Sequence, residues 1–534
     1  LILLGRYLEE RSRNKASSAI KSLMGLQPDT ATRIRGNERE VVSIAALLPG
    51  DTVLIRPGDT IPVDGIIVSG NSWIEESMMS GEPVPVFRQQ SEMVLAGTLN
   101  KEGVLEVKVI KTGKETTLSR IITMVNEAQN SKPPVQLLVD KISAVFVPVV
   151  IIISILTFAA WAFLFPEQPI AYAIVTSISV LIIACPCALG LATPTALIAA
   201  IGHGARDGIL FRDAGGIESA GKTDTLVIDK TGTLTIGKPV LSQIIYSDET
   251  DQSAVSRIFA SLTALSKHPL SIAVAEKLSG ELLMVSEFND IPSKGISGAI
   301  DGSIFFAGSP AILKVAGIEP DEVSSKQIEK MTADGASIVI LTSAKKVMAI
   351  AALSDMLRDD AQDAVKTLKN MGIEIHMLTG DNEISARKIA EKAGIANVKS
   401  GVSPEEKAEF VDLLKSKGKI VTMAGDGIND TIALARADVG MAMGGGSDAS
   451  REAAAITLTG HRLMQVVETI NLSRKTNRII RENLVWAFGY NIIAIPIAAG
   501  LLFPLTGLLL NPMIASAAMA FSSVSVVVNS LRLR

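Results

Sequence analysis

The 534-residue chain has little cysteine, little histidine and few aromatic side chains. Its two cysteines, Cys185 and Cys187, are too few for a disulfide framework or a four-cysteine zinc site. Basic and acidic residues nearly balance, 51 against 55, which argues against a nucleic-acid-binding protein. Mean hydropathy is +0.36, a value that soluble proteins of this length do not normally reach. Because the chain begins with Leu1, we expect it to be a piece of a longer protein.

Three stretches without charged residues account for the positive hydropathy: 142–165, 168–202 and 483–531. One helical crossing of a membrane needs about 20 residues. The first stretch therefore predicts one span and the second predicts one long, broken span. The third predicts two spans with a hairpin near Pro504 to Pro512, giving four complete spans in all.

The flanks of these stretches predict the orientation of the chain in the membrane. The short connections 166–169 and 503–512 contain no basic residue. Basic residues lie at the opposite ends: Lys132, Lys141, Arg206, Arg212, Arg474, Lys475, Arg478, Arg481, Arg532 and Arg534. By the positive-inside rule, both large polar regions are cytoplasmic parts of a multi-pass protein of the cell membrane.

The two polar regions differ in pattern. Residues 14–135 alternate in polarity and are punctuated by Gly, Pro and Asp, which is typical of strands. Residues 203–482 contain buried-strand patterns (TLVID, VMAIAAL, IEIHMLT, IVTMAG and DVGMAM) with helical patterns near 359–370, 383–393 and 404–416. This alternation predicts a parallel, doubly wound α/β domain, which residues 237–345 interrupt as a separate inserted domain.

Polar side chains follow several of these strands. Asp229 ends the strand TLVID, and the carboxyl ends of parallel strands are where open α/β sheets bind ligands. A carboxylate there, beside Mg²⁺ and backbone N–H groups, can attack a γ-phosphoryl group and become an aspartyl phosphate. Thr379, in Thr379-Gly380-Asp381, can hold the transferred group, and Lys407 can neutralise its charge.

A further strand end supplies oxygen ligands. The segment Gly425-Asp426-Gly427-Ile428-Asn429-Asp430 follows the strand IVTMAG. Its carboxylates, Asp426 and Asp430, are the hard ligands that Mg²⁺ prefers. The sequence therefore predicts a magnesium-dependent phosphoryl-transfer site at this edge of the sheet.

Both cysteines lie in the second apolar stretch, around Pro186. On an unbroken helix, residues two apart point in nearly opposite directions. A proline interrupts the helix, so Cys185 and Cys187 can turn toward one point, and freed backbone carbonyls are tolerated in a membrane only where they line a site. Two thiolates there need a cation, and soft thiolates select Cu(I), Zn²⁺ and similar ions.

The later apolar spans bear on the choice of metal. Tyr490 and Asn491 lie mid-span, while Met519, Ser522 and Ser523 share one helix face by their i, i+3 and i+4 spacing. A thioether suits Cu(I) better than Zn²⁺. The plain alternative is that these side chains only pack and hydrogen-bond between membrane helices.

The segments DKTGTLT, TGD and GDGIND, in this order, resemble the phosphorylation domain of P-type ATPases, and Cys-Pro-Cys resembles their heavy-metal branch. The resemblance implies that Asp229 is phosphorylated. It also implies a multi-domain membrane protein: a transmembrane helical bundle, a β-rich actuator domain, an α/β haloacid dehalogenase-like phosphorylation domain and an inserted α+β nucleotide-binding domain. The wider haloacid dehalogenase class has a second Asp where this chain has Thr231, which favours a long-lived phosphoenzyme.

Further site residues are implied by the same resemblance. Ser80-Gly81-Glu82-Pro83 is similar to the family's dephosphorylation loop, so Glu82 positions the attacking water. Ser266-Lys267-His268-Pro269 is similar to the adenine-binding motif, and Lys294 and Gly295 stand where the family has a glycine-rich ATP contact. Three sets of residues complete the prediction: Thr231 and Asp381 for ATP; Asp229, Thr231, Asp426 and Asp430 for Mg²⁺; and Cys185, Cys187, Tyr490, Asn491, Met519 and Ser523 for transported Cu(I).

The resemblance also divides the chain. It implies the end of a transmembrane helix at 1–13, an actuator domain at 14–135, two transmembrane helices at 136–202, a phosphorylation domain at 203–236 and 346–482, a nucleotide-binding domain at 237–345, and two transmembrane helices at 483–534.

The function expected from these features is ATP-driven transport of Cu(I), and of Ag(I), out of the cytosol. A Zn²⁺/Cd²⁺ pump, a membrane-tethered phosphatase and a metal sensor that no longer pumps are the alternatives. We expect membrane lipid and Cu(I) as partners, a cytosolic copper chaperone as the kind of donor, no nucleic acid, and a monomer.

Overall fold

The computed structural model describes residues 28–533, apart from 37, 78–83, 165–166, 168–169, 185–186, 248–250, 279, 293, 334, 382 and 445–447. The described chain forms two compact units. One contains the residues up to Thr223, the segment Ala454–His461 and the residues from Gln465 onward. The other contains Asp224–Ala453 and Arg462–Met464.

The first unit opens with a strand-rich part, as the alternating polarity predicts. Its strands are β1 (Thr30–Arg35), β2 (Glu38–Ser43), β3 (Thr52–Ile55), β4 (Asp64–Ser69), β5 (Ser72–Glu75), β6 (Val86–Arg88), β7 (Met93–Val94), β8 (Leu99–Asn100) and β9 (Leu105–Lys111). They form antiparallel sheets in the orders β2-β1-β3-β9-β4-β7 and β6-β5-β8. Strand β9 shows why they fold: Leu105, Val107 and Val109 all point into the core while the residues between them do not.

Helices follow the strands, and the second apolar stretch is divided between two of them. The elements are α1 (Thr117–Asn130), α2 (Pro134–Leu164), α3 (Ile170–Ile183), α4 (Cys187–Arg206), β10 (Ile209–Phe211) and α5 (Ala214–Ala220). Helix α3 ends at Ile183 and α4 begins at Cys187, while the predicted break at Cys185 and Pro186 lies outside the described residues.

Asp64 joins the strand-rich part to α1. Its carboxylate is fully buried and accepts hydrogen bonds from Ala96 N at 2.8 Å, Thr117 N at 2.7 Å and Thr117 Oγ1 at 2.8 Å. Thr117 is the first residue of α1, so a buried charge satisfies a backbone donor that the helix itself leaves unpaired.

The second unit begins with β11 (Thr225–Asp229). A six-stranded antiparallel sheet with four helices follows it in the chain. Its elements are β12 (Thr235–Tyr246), α6 (Gln252–Thr263), α7 (Pro269–Lys277), β13 (Ser286–Ile291), β14 (Gly295–Ile300), β15 (Ser303–Gly308), α8 (Ile312–Ala316), α9 (Glu322–Ala333), β16 (Ser337–Ser343) and β17 (Val347–Leu357). The strand order is β12-β17-β16-β15-β14-β13.

One sequence prediction is wrong here. The run VMAIAAL lies in β17, which pairs antiparallel with β12 and β16 instead of joining the parallel sheet. A short, continuously apolar run predicts a buried strand but carries no information about its pairing partner.

The rest of the second unit is the predicted doubly wound domain. Its elements are α10 (Ala361–Asn370), β18 (Glu374–Leu378), α11 (Glu383–Ala393), β19 (Asn397–Lys399), α12 (Pro404–Ser416), β20 (Val421–Gly425), α13 (Thr431–Arg436), β21 (Val439–Ala442) and α14 (Asp448–Ala453). Strands β21, β20, β11, β18 and β19 lie side by side in that order, and all their pairings are parallel. The predicted helices at 383–393 and 404–416 have the predicted bounds.

The chain ends in the first unit with β22 (Ile456–Leu458), α15 (Met464–Ala498), α16 (Phe503–Thr506) and α17 (Pro512–Ser530). Strand β22 pairs antiparallel with β10. Buried Asn483 connects three helices: its Nδ2 donates to Ala192 O of α4 at 3.0 Å and to Ser530 Oγ of α17 at 2.9 Å.

By length and apolarity, two helical segments among the described residues are suited to cross a membrane, compared with the four spans predicted. They are Thr117–Leu164, which includes α1 and α2, and Pro512–Leu533; Ile170–Ile183 is apolar but shorter. The count is lower because the second stretch is divided between α3 and α4. In addition, the first half of α15 carries charged residues.

We expect Asp64→Ala to destabilise the strand-rich part by about 3 kcal/mol, because it leaves buried donors without an acceptor. Hydrogen exchange of the β4 and β9 amides in the full chain measures this change. Asp59→Ala is the matched control, since its exposed carboxylate accepts one bond from Arg56 N at 2.9 Å. Equal loss of protection in the two variants would contradict the assignment.

Candidate active site

Three neighbouring parallel strands end at one edge of the sheet, and each delivers a polar residue there. Asp229 is the last residue of β11 and is 5% exposed. Strand β18 leads to Thr379, which is 2% exposed, and β20 leads to Asp426. Because β11 lies between β20 and β18, Asp229 is at the centre of this edge.

Lys407 bridges two of the carboxylates at this edge. Its Nζ donates to Asp229 Oδ1 at 2.5 Å and to Asp430 Oδ1 at 2.8 Å, and all three residues are buried. The sequence places Lys407 in the first turn of α12. A capping box fixes that turn: Ser403 Oγ accepts from Glu406 N, and Glu406 Oε2 accepts from Ser403 N. The helix start is therefore rigid at the position that aims the ammonium group at Asp229.

The turn after Asp229 requires glycine. Gly232 has φ of +73°, and a Cβ placed there would overlap the Asp426 carboxylate. Thr231 lies in the same turn, two residues beyond Asp229, with an exposed side chain. The absent Cβ lets the turn approach the Asp426 carboxylate.

The carboxylates at this edge have raised pKa values. Burial, followed by the nearby Asp430 charge, raises the pKa of Asp229 to about 7 although Lys407 opposes the shift. Burial and Asp430 likewise raise the pKa of Asp426 to about 6, with Arg358 opposing. Burial alone would lower the pKa of Lys407, but Asp229 and Asp430 outweigh it and the pKa lies above its usual range. Lys407 is therefore a cation at neutral pH, and the carboxyl group of Asp229 is close to half protonated at that pH.

The residues present fit a divalent cation. One oxygen from each of Asp229, Asp426 and Asp430 lies within 4.8 Å of the other two. Three carboxylates around one point are the hard oxygen ligands that Mg²⁺ prefers, and the positive charge of the ion would relieve their mutual repulsion.

Thr379 and Asp381 lie beside the carboxylate cluster. Asp381 N donates to Thr379 Oγ1 at 3.1 Å, and the Lys230 ammonium forms an ion pair with the Asp381 carboxylate. Lys230 directly follows Asp229, so this pair connects the β11 turn to the segment after β18. Thr379, Asp381, Lys407, Asp426 and Asp430 are thus brought together around Asp229, as the sequence predicted from strand ends.

Sequence reasoning missed two residues that hold the turn in place. Arg358 Nε donates to Thr233 O at 2.8 Å, and its Nη2 donates to Gly232 O. Asp355 accepts from the Thr235 hydroxyl and from Gly237 N at 3.0 Å. Charged residues directly after the apolar run VMAIAAL were the available signal, because opposite charges close to the end of a buried strand need partners.

The other residues predicted for ATP lie on separate elements. His268 is the N-cap of α7, where its Nδ1 accepts from Leu270 N at 3.3 Å. Gly295 opens β14, and a Cβ there would overlap the carbonyl oxygen of Ala307. Lys294 is exposed, and its carbonyl accepts from Ser309 N at 2.9 Å. Each of these positions has a local structural role that does not depend on a nucleotide.

The predicted metal ligands of the apolar helices are partly described. Asn491 and Ser523 are buried, at 5% and 7% exposure, and Met519 and Tyr490 are half-buried. Within the described part of the chain, the buried atoms Tyr490 Oη and Asn491 Oδ1 have no hydrogen-bond partner. Such atoms are costly to bury unless a ligand satisfies them.

Tyr490 belongs to the apolar cluster that contains Ile183 and Ala184 at the end of α3, directly before Cys185. Cys185 itself, the side chain of Cys187, and the predicted dephosphorylation residues Ser80 and Glu82 lie outside the described residues.

The fold and this edge define a haloacid dehalogenase-like domain in a protein that also has apolar helices. Comparison with known families agrees. The P-type ATPase actuator domain matches residues 25–126, and the haloacid dehalogenase-like hydrolase family matches residues 223–438.

Known proteins resemble the whole chain. It is 44% identical to a copper-transporting P-type ATPase of Rhizobium leguminosarum bv. viciae and 42% identical to a silver exporting P-type ATPase of Salmonella typhimurium. The matches cover 100% of this chain and 64% and 65% of those relatives. The crystal structure of a zinc-transporting PIB-type ATPase in the E2.Pi state is similar with a TM-score of 0.67 and 30% identity, over 100% of this chain and 86% of that one. The chain belongs to the heavy-metal P-type ATPases, a family of multi-pass membrane proteins.

We expect Lys407→Met to destabilise the second unit by about 3 kcal/mol at pH 7, since it leaves buried carboxylates without their cation. The loss is smaller at pH 5, because Asp229 and Asp426 are then protonated in the folded state. Hydrogen exchange of the β11 amides measures this loss of stability, and Lys417→Met, at an exposed lysine, is the control. A loss of stability that is equal at both pH values would contradict the claim that Lys407 acts by compensating the buried carboxylates.

We also expect Mg²⁺ binding to weaken as pH falls from 8 to 5.5. Bound Mg²⁺ needs ionised carboxylates, and those of Asp229 and Asp426 hold protons up to about pH 7 and about pH 6. Affinity should fall about tenfold per pH unit just below 7 and more steeply below 6. Calorimetry in buffers of different ionisation enthalpy measures the released protons. Asp229→Asn should remove the part of the pH dependence that lies near pH 7. An affinity for Mg²⁺ that does not change with pH would contradict this explanation.

Proposed function

We propose that the full-length protein is an ATP-driven pump that moves Cu(I), and also Ag(I), out of the cytosol through an aspartyl phosphate on Asp229. The observation that carries the pump assignment is the buried Asp229 carboxylate at the end of β11, paired with Lys407 and Asp430. The pKa of Asp229 is raised to about 7, and perturbed pKa values cluster at functional sites.

In the proposed reaction, ionised Asp229 attacks the γ-phosphorus of ATP. A bond forms between its carboxylate oxygen and that phosphorus, the bond to the β–γ bridging oxygen breaks, and ADP leaves with the electron pair. Lys407 stabilises the negative charge on the transferred group, and Thr379 donates a hydrogen bond to it. Mg²⁺, held by Asp229, Thr231, Asp426 and Asp430, supplies charge neutralisation when bound.

The phosphoenzyme is expected to persist until hydrolysis is triggered. Thr231 occupies the position from which a carboxylate could take a proton from water, and a threonine hydroxyl cannot act as that base near neutral pH. Glu82, from the strand-rich part, would direct the attacking water instead. This separation of phosphorylation from hydrolysis suits a pump, whose ion must change sides between the two steps.

Nucleotide binding is assigned to His268 for adenine, with Lys294, Gly295, Thr231 and Asp381 contacting ATP. His268 and Lys294 are exposed, which leaves their side chains accessible to a ligand. The inserted domain around them is taken as the nucleotide-binding domain, which the sequence predicted at 237–345 between the two parts of the phosphorylation domain, 203–236 and 346–482. Because β17 pairs with β12 and β16, the sheet of the inserted domain extends to Leu357.

The cargo site is assigned to Cys185, Cys187, Tyr490, Asn491, Met519 and Ser523. Two thiolates and a thioether favour a soft monovalent ion. The unpartnered Tyr490 Oη and Asn491 Oδ1 support a ligand at this level of the helices. Relatives at 44% and 42% identity carry copper and silver in their names, which supports the same ions here.

A Zn²⁺ or Cd²⁺ pump is the second candidate, favoured by the similarity to a zinc-transporting structure. That similarity is at 30% identity, lower than for the copper and silver relatives. The stretch 483–531 also has no charged side chain to pair with a divalent ion. A tethered phosphatase is disfavoured by Thr231 at the acid/base position.

The remaining partners follow from this assignment. The actuator domain is placed at 14–135, transmembrane helices at 1–13, 136–202 and 483–534, and both large polar regions in the cytoplasm. Cu(I) delivery by a cytosolic copper chaperone, contact with membrane lipid, a monomeric state and no nucleic-acid partner belong to the same proposal.

The test is ATP hydrolysis by a full-length form in the presence of Cu(I), Ag(I), Zn²⁺ or no metal. We expect stimulation of at least tenfold by Cu(I) and Ag(I), with loss of the stimulated rate in Asp229→Asn and Cys185→Ser. Ser525→Ala, which removes an exposed hydroxyl of α17 outside the proposed cargo set, is the control. Stimulation by Zn²⁺ alone would overturn the copper assignment, and turnover independent of both metal and Asp229 would overturn the pump.

A further inference from the structure

A cavity of about 460 Å³ lies where α15 enters the apolar stretch, and its lining is unusually basic. Gly221, Asn477, Val485 and Glu482 line it together with three arginines, Arg474, Arg478 and Arg481. The three arginines outnumber the single carboxylate, so the cavity has a net positive charge. None of these residues has a part in the phosphoryl-transfer site or the cargo site.

The helix repeat places the basic and apolar parts of this lining on one face. Arg474, Arg478, Arg481 and Val485 are spaced i, i+4, i+7 and i+11 along α15, so they form a single stripe. The stripe changes from charged to apolar at residue 483, where the charge-free stretch begins. Val485 and Trp486 are 71% and 67% exposed, which leaves apolar surface directly beyond the arginines.

The acidic residue in the lining is already satisfied. Glu482 accepts from Arg478 Nε at 2.9 Å and from Asn529 Nδ2 at 3.2 Å. The bond from Asn529, followed by that from Arg478, holds the pKa of Glu482 below its usual range, so it is ionised and fixes the Arg478 side chain. This contact uses Nε of Arg478, and the Arg478 side chain is still 78% exposed.

Arg481 has capacity for a ligand. Across the described residues it takes part in no ion pair or side-chain hydrogen bond, and its side chain is exposed. Arg474 contributes a further guanidinium, and its Nη2 donates to Thr223 O at 3.2 Å. A guanidinium group binds phosphate oxygens through two parallel hydrogen bonds, which a cluster of arginines provides in several directions.

The floor of the cavity depends on a glycine. A Cβ at Gly221 would meet Ser473 O at 2.8 Å and would overlap the amide nitrogen of Asn477. Asn477 Nδ2 in turn donates to Glu218 O at 2.8 Å. The end of α5 and α15 are therefore fixed against each other, so the cavity is built by packing and does not depend on a mobile loop.

From the basic cavity and the apolar surface directly beyond it, we infer that this is a binding site for the headgroup of an anionic phospholipid. The phosphate lies among Arg474, Arg478 and Arg481, and the acyl chains run over Val485 and Trp486. A basic pocket at the cytoplasmic end of a membrane helix attracts anionic headgroups, and tryptophan favours the same interfacial level. The inference rests on the membrane placement of the proposed function and not on which ion is carried.

The test measures quenching of Trp486 fluorescence in the full chain by lipids with brominated acyl chains. Phosphatidylglycerol and phosphatidylcholine are compared, and Trp486→Phe defines the signal of the other two tryptophans. We expect half-quenching at about fivefold lower mole fraction of phosphatidylglycerol. Arg481→Gln should remove most of this preference, and Arg481→Lys should restore most of it.

Lys475→Gln is the matched control, because it removes one exposed positive charge from the same helix away from the stripe. Equal quenching by the two lipids, or an equal loss of preference in Lys475→Gln, would overturn the site. Binding of inorganic phosphate at Arg481 without a preference for phosphatidylglycerol would also overturn it, because the site would then be one for a soluble anion. Metal-stimulated ATP hydrolysis is assayed in parallel, and its absence alongside an intact lipid preference would count against the pump only.

Discussion

The position of Lys407 between Asp229 and Asp430 is the constraint on which the candidate active site depends. Two carboxylates and an ammonium are buried together, and each would be costly alone. Their pairing is incomplete, since the pKa of Asp229 is still raised to about 7. The site therefore carries an excess of negative charge, which a divalent cation would relieve.

The surrounding structure holds that cluster in position. Parallel strands deliver Asp229 and Thr379 to one edge, and the capping box at Ser403 fixes the turn that carries Lys407. Arg358 holds the carbonyls of Gly232 and Thr233, so the turn after Asp229 is attached to the end of β17. Because β17 is part of the antiparallel sheet, a movement of that sheet would pull on the turn beside Asp229.

Particular residues show how far sequence reasoning reached. The helix at 404–416 and the strand ending at Asp229 were predictable, because a cap, a proline and a buried run are local signals. The run VMAIAAL was assigned to the wrong sheet, since strand pairing is a long-range property that a short apolar run does not encode. Arg358 was missed for the same reason: its partners, Gly232 and Thr233, lie more than a hundred residues away. The unpartnered Tyr490 Oη could be recognised only from the packed helices, whereas its position in mid-span was readable.

The central claim is that Asp229 is a phosphate acceptor whose use depends on the soft metal bound in the membrane helices. The most direct measurement is the amount of acid-stable phosphate transferred from γ-labelled ATP to the full-length protein, followed by mass-spectrometric identification of the modified residue. The account predicts close to one phosphate per chain, on Asp229, with Cu(I) present and little without it. Label on another residue, or the same label on Asp229 with and without metal, would contradict it.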